Sequence, residues 1–410
     1  MKFIGHKNIV MFLLLGIGLL FRLLLTSFGT FHIDFGDWVG WSDRLVRYPF
    51  SQFYDAWSDY LPGYLYVLWA LGHFKLLLYS SGLMIPLEII YKFPAIAADL
   101  LLAFIAFKIS RRFLSQKRSF LILFIFAFNP AIFANSTLWG QIDVLNTLFY
   151  ILTFIVLLRK RVLLTGIFLA ISLLIKPQGV IILPFIFILV FKEKWQITKI
   201  LKSIAVFLLV YVGEFVPFSN KLNILNFIFE RYFVGLNQYQ YTSVNAFNYW
   251  AIGQRWWISD SQLWFGIPLH YWGMAVFAVI FILILCNFLI KFRTDVITKK
   301  LFILNFSLAL VFLGSFIFLT RVHERLLLTP LIFLMLAAIF KKELWIFVGV
   351  LSITYIANLY FSFVWLTQNF HNIFSSSMIN IISFLNLFVF VVLLVILLKW
   401  RPNFDEEKTI

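Results

Sequence analysis

The chain has 410 residues, of which 62% are hydrophobic and 13% are charged. Soluble domains carry about 25% charged residues, so this chain has too little polar surface to cover a water-soluble globule. The aromatic content of 20% excludes disorder, and a single cysteine, Cys286, excludes a disulfide framework and a thiolate metal cluster. The composition is that of a polytopic, all-α membrane protein.

The net charge of +16 does not indicate a nucleic-acid partner. A nucleic-acid footprint gathers basic residues on one face, whereas here they form short runs between apolar stretches, as positive-inside loops do. These runs are Arg111–Arg112, Lys117–Arg118, Arg159–Arg161, Lys192–Lys194, Lys291–Arg293, Lys299–Lys300 and Lys341–Lys342.

Apolar segments of spanning length predict about 12 transmembrane helices. The first follows Lys2 and Lys7, is longer than a signal-peptide core and lacks an A-x-A cleavage site, so we expect it to remain uncleaved. The predicted spans lie near 9–28, 92–110, 119–135, 142–158, 162–175, 179–191, 203–218, 270–290, 301–319, 326–340, 344–362 and 378–398.

The apolar segment 63–83 decides the topology. If it crosses the membrane, the basic runs at 111–118 and 159–161 cannot both face the side that holds the N-terminus. If it lies along the interface as an amphipathic helix, every basic run falls inside, and its aromatic and lysine content suits that position. We therefore predict interfacial helices in the first outer loop and two cytoplasmic termini.

Two long outer segments, 29–91 and 219–269, are rich in Trp, Tyr, Asn and Asp instead of linker residues. Such loops are usually ordered and functional. The aromatic residues of 219–269 could stack on a glycan or pack at the interface. The chain divides into a membrane module (1–218), this second outer loop, and C-terminal transmembrane helices (270–410).

The first outer loop carries the candidate catalytic carboxylates. Asp34, Asp37 and Asp43 fall within ten residues, and Asp55 and Asp59 follow. One interpretation is a solvated acidic loop. Trp and Tyr residues alternate with these carboxylates, however, and apolar surroundings raise a carboxyl pKa, which suits a general base.

Polar residues at later span ends could contact a substrate. Gln141 and Asp143 could hydrogen-bond a sugar, although Asp143 could instead cap the helix of the next span. Lys176, followed by Pro177 and Gln178, lies at or below the membrane surface. A lysine there either extends to the headgroups or meets an anion.

The stretch Arg321-Val-His323-Glu324-Arg325 places two guanidinium groups around a His-Glu pair. Arginine grips phosphate through two parallel hydrogen bonds, so this stretch could bind a phosphate. The alternative is a neutralised interfacial cluster. A zincin site is excluded because the second His of H-E-x-x-H is missing.

A phosphate-linked lipid substrate would use both the carboxylates and the cations. An Asp would take the proton of an acceptor hydroxyl, and that oxygen would attack C1 of a sugar. The leaving polyprenyl phosphate is already anionic, so it needs cations more than a general acid. A glycosidase would instead need two carboxylates at a fixed separation.

Together these residues resemble the GT-C superfamily of glycosyltransferases, and in particular bacterial homologues of the second mannosyltransferase of GPI-anchor synthesis. The resemblance covers roughly residues 8–335. Its motifs are Gly36-Asp37 with Ser42-Asp43-Arg44, Asp59-Tyr60-Leu61-Pro62, Trp139-Gly140-Gln141-Ile142-Asp143, Lys176-Pro177-Gln178, Val244-Asn245-Ala246-Phe247-Asn248-Tyr249-Trp250 and His323-Glu324-Arg325.

The resemblance implies an extracytoplasmic active site, a polyprenyl-phosphate sugar donor and inversion at the sugar carbon. It implies Asp37 as the base, with Asp34 as the second choice, and mannose as the expected hexose. Substrate binding would fall to Asp43, Asp59, Gln141, Asp143, Lys176, Gln178, Asn245, Asn248, Arg321, His323, Glu324 and Arg325. No cofactor is required, and the metal content stays open because some relatives use a divalent ion.

Two other functions remain open at this point. A transporter or flippase for a lipid-linked glycan would place its site near the midplane between repeated halves, and we find no repeat. A glycan ligase or polymerase would consume a pyrophosphate-linked oligosaccharide. The acceptor could be a glycan, a lipid or a protein in the cell envelope, and we expect the chain in the plasma (inner) membrane, in contact with membrane lipid.

Overall fold

The computed structural model describes residues 6–220, 223–293 and 295–400. It is 77% helical, and in this described part the strands are limited to one hairpin of β1 (Leu263–Trp264) and β2 (Ile267–Pro268). The predicted all-α class is therefore confirmed. Lys2 and the C-terminal residues 401–410 lie outside the described residues.

The helices of the first part of the chain begin and end at recognisable signals. Pro62 opens one helix at its first position, where a missing N–H costs nothing. These helices are α1 (His6–Leu25), α2 (His32–Arg47), α3 (Pro62–Ser80), α4 (Leu87–Ser110), α5 (Gln116–Phe128), α6 (Pro130–Phe133), α7 (Asp143–Leu158), α8 (Val162–Ile175), α9 (Leu183–Lys192), α10 (Ile197–Phe215) and α11 (Ile224–Asn237).

The last part of the chain holds longer apolar helices. Ser375 caps the final one by accepting a hydrogen bond from the backbone N–H of Met378 at 3.3 Å. These helices are α12 (Leu269–Lys291), α13 (Ile297–Phe318), α14 (Leu328–Ala338), α15 (Trp345–Thr367) and α16 (Ser376–Lys399).

Eight helical segments in the described part are long and apolar enough to cross a membrane, which supports a membrane protein. Three shorter apolar helices accompany them: Asp143–Leu158, Val162–Ile175 and Pro177–Lys192. The expected count of 12 spans is not confirmed. The eight long segments are Asn8–Leu25, Leu87–Ser110, Gln116–Trp139, Ile197–Phe218, Leu269–Lys291, Ile297–Phe318, Lys342–Thr367 and Ser376–Lys399.

The predicted span 119–135 is helical but interrupted. Asn129 adopts an extended conformation before Pro130, as residues before proline tend to do, and its side chain caps α6 through the N–H of Ala131 at 2.8 Å. A π-helix follows over Ala134–Trp139. Such wide turns often occur at functional sites, and this one leads directly into the Trp139–Asp143 motif.

The segment 63–83 forms α3, which is not among the helices apolar enough to cross a membrane. It packs closely on α2, because a Cβ at Gly72 would lie 2.6 Å from the Ser42 hydroxyl oxygen. That hydroxyl donates to the Leu68 carbonyl at 2.7 Å and accepts from Tyr91 at 2.9 Å. The pair α2–α3 is thus fixed by a small residue and a polar contact.

The chain folds as two compact units that interleave along the sequence. One unit, here called the carboxylate unit, contains residues 19–99 and 136–238, and its core is largely aromatic around Trp38, Tyr64 and Phe218. The other, here called the arginine unit, contains residues 1–18, 100–135 and 239–410, and α13 is its most buried long helix.

Candidate functional site

The carboxylate unit presents Asp34 and Asp37 on one side of α2. Residues three apart on a helix are neighbours on its surface. Each carboxylate lies four positions before a buried tryptophan, Trp38 and Trp41 respectively, so both lie at the edge of the apolar face. Both side chains are half-buried.

Asp34 accepts hydrogen bonds from the last residue of the π-helix, Trp139, and from Gln141 in the turn that follows. One of its oxygens, Oδ2, accepts a hydrogen bond from Gln141 Nε2 at 2.5 Å and a longer one from Trp139 Nε1 at 3.4 Å. Gly140 separates these donors and has a φ of +95°, which side-chain-bearing residues rarely adopt. The glycine therefore allows the turn that aims both side chains at Asp34.

Asp37 differs from Asp34 because no hydrogen-bond or ion-pair partner of its carboxylate lies among the described residues. Burial against the apolar face raises the pKa of this carboxyl, and the neighbouring charge of Asp34 raises it further. A raised pKa makes the carboxylate a better proton acceptor. The structure thus gives the two neighbours different chemistry.

The other predicted carboxylates of the first loop lie in different surroundings. Asp43 forms an ion pair with Lys75, a lysine of α3 whose side chain is mostly buried. Asp59 is half-buried near the Tyr54 phenol. Asp43 therefore contributes to joining α2 with α3.

Lys176 and Asp143 are brought together as an ion pair. Asp143 is buried at the start of α7, after Ile142 at the N-cap position, and Lys176 follows the last residue of α8. The lysine charge is therefore balanced by this carboxylate. Gln178 lies in the short 3₁₀-helix Pro177–Ile182 and is exposed.

In the arginine unit, two predicted motifs meet through their backbones. The N–H of Val244 donates to the Val322 carbonyl at 2.9 Å, which places Asn245 beside His323. Asn245 accepts a hydrogen bond from Trp257 Nε1 at 2.7 Å. This pairing joins the second outer loop to the His323–Arg325 stretch.

Asn248 stabilises the same loop from within. Its Nδ2 donates to the Phe316 carbonyl at 3.0 Å, and its Oδ1 accepts from the Trp250 N–H at 3.1 Å. Asn358 contributes in the same way, donating to the Asn245 carbonyl at 2.6 Å and accepting from the Phe247 N–H at 2.8 Å. Buried backbone groups in an irregular loop need such partners.

Arg321 forms an ion pair with Asp260, whose side chain is fully buried. Its Nε lies 2.7 Å from Oδ2 and its second contact to Oδ1 is 3.4 Å, while the Thr320 hydroxyl also lies 3.1 Å from Oδ2. Arg321 itself has a φ of +63°. The pair therefore holds the main chain in a conformation that an arginine rarely adopts.

Glu324 and Arg325 begin the short 3₁₀-helix Glu324–Leu327 that leads into α14, and His323 directly precedes it. The His323 ring meets Tyr239 edge-on, with centroids 4.8 Å apart. Glu324 is buried, whereas Arg325 is half-buried and its carbonyl accepts a hydrogen bond from Tyr355 at 3.2 Å. The main chain at Arg325 is thus fixed from α15.

Sequence reasoning missed Asp260 and Lys92, both fully buried. Asp260 follows no periodic pattern within the second outer loop, and Lys92 marks only the polar edge of an apolar segment. A buried charge of this kind is visible in sequence only as an ionisable residue beside apolar ones. No group of three His, Cys, Asp or Glu side chains suited to a metal ion occurs within the described ranges.

No family model matches the chain, and no curated protein is significantly similar to it in sequence.

Proposed function

We propose that the chain is an integral-membrane, inverting glycosyltransferase of the GT-C type. It transfers a hexose, with mannose as the expected sugar, from a polyprenyl-phosphate donor to an acceptor on the extracytoplasmic side of the plasma membrane. The observation that carries the proposal is the pair on α2: Asp34 is held by Gln141 and Trp139, whereas Asp37 is without such a partner among the described residues and has a raised pKa.

In the proposed reaction, Asp37 takes the proton of the acceptor hydroxyl as its oxygen attacks C1 of the sugar. The bond between C1 and the phosphate oxygen breaks, and the polyprenyl phosphate leaves with the electron pair. The sugar carbon is inverted because there is one displacement. Asp34 is oriented by its hydrogen bonds from Gln141 and Trp139, and its neighbouring charge raises the pKa of Asp37.

The leaving phosphate needs positive charge. We assign this role to the predicted cations Lys176, Arg321 and Arg325, of which Lys176 also faces Asp143 and Arg321 also faces Asp260. Asn245 and Asn248 then act by shaping the loop through their internal hydrogen bonds. The proposed topology puts Asp37 outside, both termini inside and α3 along the membrane interface.

The test is transfer of label from radiolabelled polyprenyl-phosphate mannose in membranes that contain the chain. We expect wild type to form a new labelled product and Asp37→Asn to lose about 10²–10⁴-fold in rate, the usual contribution of a general base. Asp55→Asn is the matched control, because Asp55 is exposed in the same loop and should leave transfer unchanged.

Normal turnover by Asp37→Asn would remove Asp37 as the base. If wild type transferred neither mannose nor glucose nor arabinose, the proposed reaction would be wrong. Translocation of a lipid-linked glycan in liposomes without a new glycosidic bond would then identify a transporter. Consumption of a pyrophosphate-linked oligosaccharide would identify a ligase or polymerase.

A further inference from the structure

Lys92 of α4 is a fully buried lysine that is bonded to neutral oxygens. The three N–H donors of its Nζ face four acceptors: the carbonyls of Thr26, Thr137 and Leu138 at 2.6, 2.9 and 2.9 Å, and the hydroxyl of Thr30 at 2.8 Å. A buried cation in a membrane protein is costly, and such residues usually serve function. An apolar residue of similar size would fill the space without that cost.

Two of the three carbonyls bound by Lys92, those of Thr137 and Leu138, belong to the segment that holds Asp34. Thr137 and Leu138 lie in the π-helix directly before its last residue, Trp139, and Gly140 and Gln141 follow. The aliphatic part of Lys92 also packs against this turn, since a Cβ at Gly140 would lie 3.1 Å from its Cε and 3.3 Å from its Cγ. Lys92 therefore contacts the turn through both its charge and its stem.

A second polar group of α4, the carboxylate of Asp99, binds Ser136, which directly precedes Thr137. Asp99 lies seven positions after Lys92, which is two helical turns and so the same face. It accepts a hydrogen bond from the Ser136 hydroxyl and one from Arg22 Nε at 3.0 Å, and it is buried. The turn is thus tied to α4 at residues 136, 137 and 138.

We propose that Lys92 is a positioning residue that fixes the 137–141 turn, so that Gln141 and Trp139 hold Asp34 beside Asp37. The chain of contacts runs from Lys92 Nζ through two carbonyls to the two donors and then to the carboxylate. The catalytic consequence rests on the proposed function, whereas the structural link between Lys92 and Asp34 does not.

The test replaces tryptophan with 5-fluorotryptophan and follows the ¹⁹F resonance of Trp139, identified by its loss in Trp139→Phe. Asp34→Asn defines the shift expected when the contact to the carboxylate changes. Lys92→Met should move the Trp139 resonance in the same direction and increase hydrogen exchange at residues 137–141. The other tryptophan resonances should stay in place.

Lys291→Met is the matched control, because Lys291 is also a buried lysine on two main-chain carbonyls, those of Leu397 and Leu398. It should leave the Trp139 resonance unchanged. If Lys92→Met does not fold, Thr30→Val decides, since it removes one of the four acceptors and retains the shape. Thr30→Ser keeps the hydroxyl and should restore the wild-type resonance.

A folded Lys92→Met protein with an unmoved Trp139 resonance and unchanged hydrogen exchange at residues 137–141 would overturn the proposal. If Lys92→Met is unfolded, a wild-type Trp139 resonance in Thr30→Val would overturn it as well. In transfer assays we expect Lys92→Met to lower kcat about a hundredfold with little change in donor KM, as misplacement of a catalytic group does. If wild type shows no transfer, the proposed function fails while the resonance still tests the positioning role.

Discussion

Replacing Arg321 with glutamine removes the cation that faces the fully buried carboxylate of Asp260. The short bond from Nε at 2.7 Å is charge-assisted, and such bonds contribute about 1.5–3 kcal/mol. Breaking a buried ion pair from one side costs about 3–5 kcal/mol. Because 28% of the Arg321 side chain is exposed to solvent, we expect the lower end of that range. Arg321→Gln should therefore lower the free energy of unfolding by about 3 kcal/mol.

A double-mutant cycle separates this pair from other effects of the substitution. Asp260→Asn removes the charge but keeps an oxygen for the Thr320 hydroxyl. In that background Arg321→Gln should cost less than about 1 kcal/mol, which gives a coupling energy of about 2 kcal/mol. The measurement is unfolding by denaturant in detergent micelles. Arg255→Gln changes an exposed arginine of the same loop and should stay within about 0.5 kcal/mol of wild type.

An equal cost of Arg321→Gln in both backgrounds would refute the reasoning, because the pair would then contribute nothing to stability. A normal stability of Arg321→Gln together with a raised donor KM would show that this guanidinium serves the donor phosphate.

Two further predictions concern proton affinity and topology. A base acts only when deprotonated, so transfer should fall as the pH drops through the pKa of Asp37. Asp34→Asn removes one cause of this raised pKa, so the acid limb of the kcat/KM profile should move to lower pH. An acid limb that stays in place or moves to higher pH would contradict the assignment of Asp37 as the base. In a Cys286→Ser background, Asp55→Cys should react with a membrane-impermeant maleimide in intact cells, whereas Arg159→Cys should react only after permeabilisation, and the reverse pattern would place the proposed site inside.

Apolar segments and proline positions account for most of the fold that could be predicted. Each of the 12 predicted spans contains a helix, because a helix bonds every backbone polar group within its own apolar segment. The interruption at Asn129 follows from Pro130. The π-helix after it depends on contacts made by Ser136 and Thr137 with α4, which no local pattern carries.

The candidate site could be predicted only in its residue types. The carboxylates of α2 are visible as a cluster, but the bond between Asp34 and Gln141 joins residues 107 positions apart. The partners of Lys176 and Arg321 lie 33 and 61 positions away, and Asp260 also sits in an irregular loop. A single sequence reports which charges exist, whereas the packing of helices decides which of them are already balanced.

That balance is the reason why Asp37, and not Asp34, is assigned as the base. A carboxylate that already accepts hydrogen bonds or faces a cation has its oxygens engaged, so it is less available to an acceptor hydroxyl. Asp34 accepts from Gln141, Asp43 faces Lys75 and Asp143 faces Lys176. Asp37 lies against the apolar face of α2 and beside the charge of Asp34, and both raise the pKa of its carboxyl.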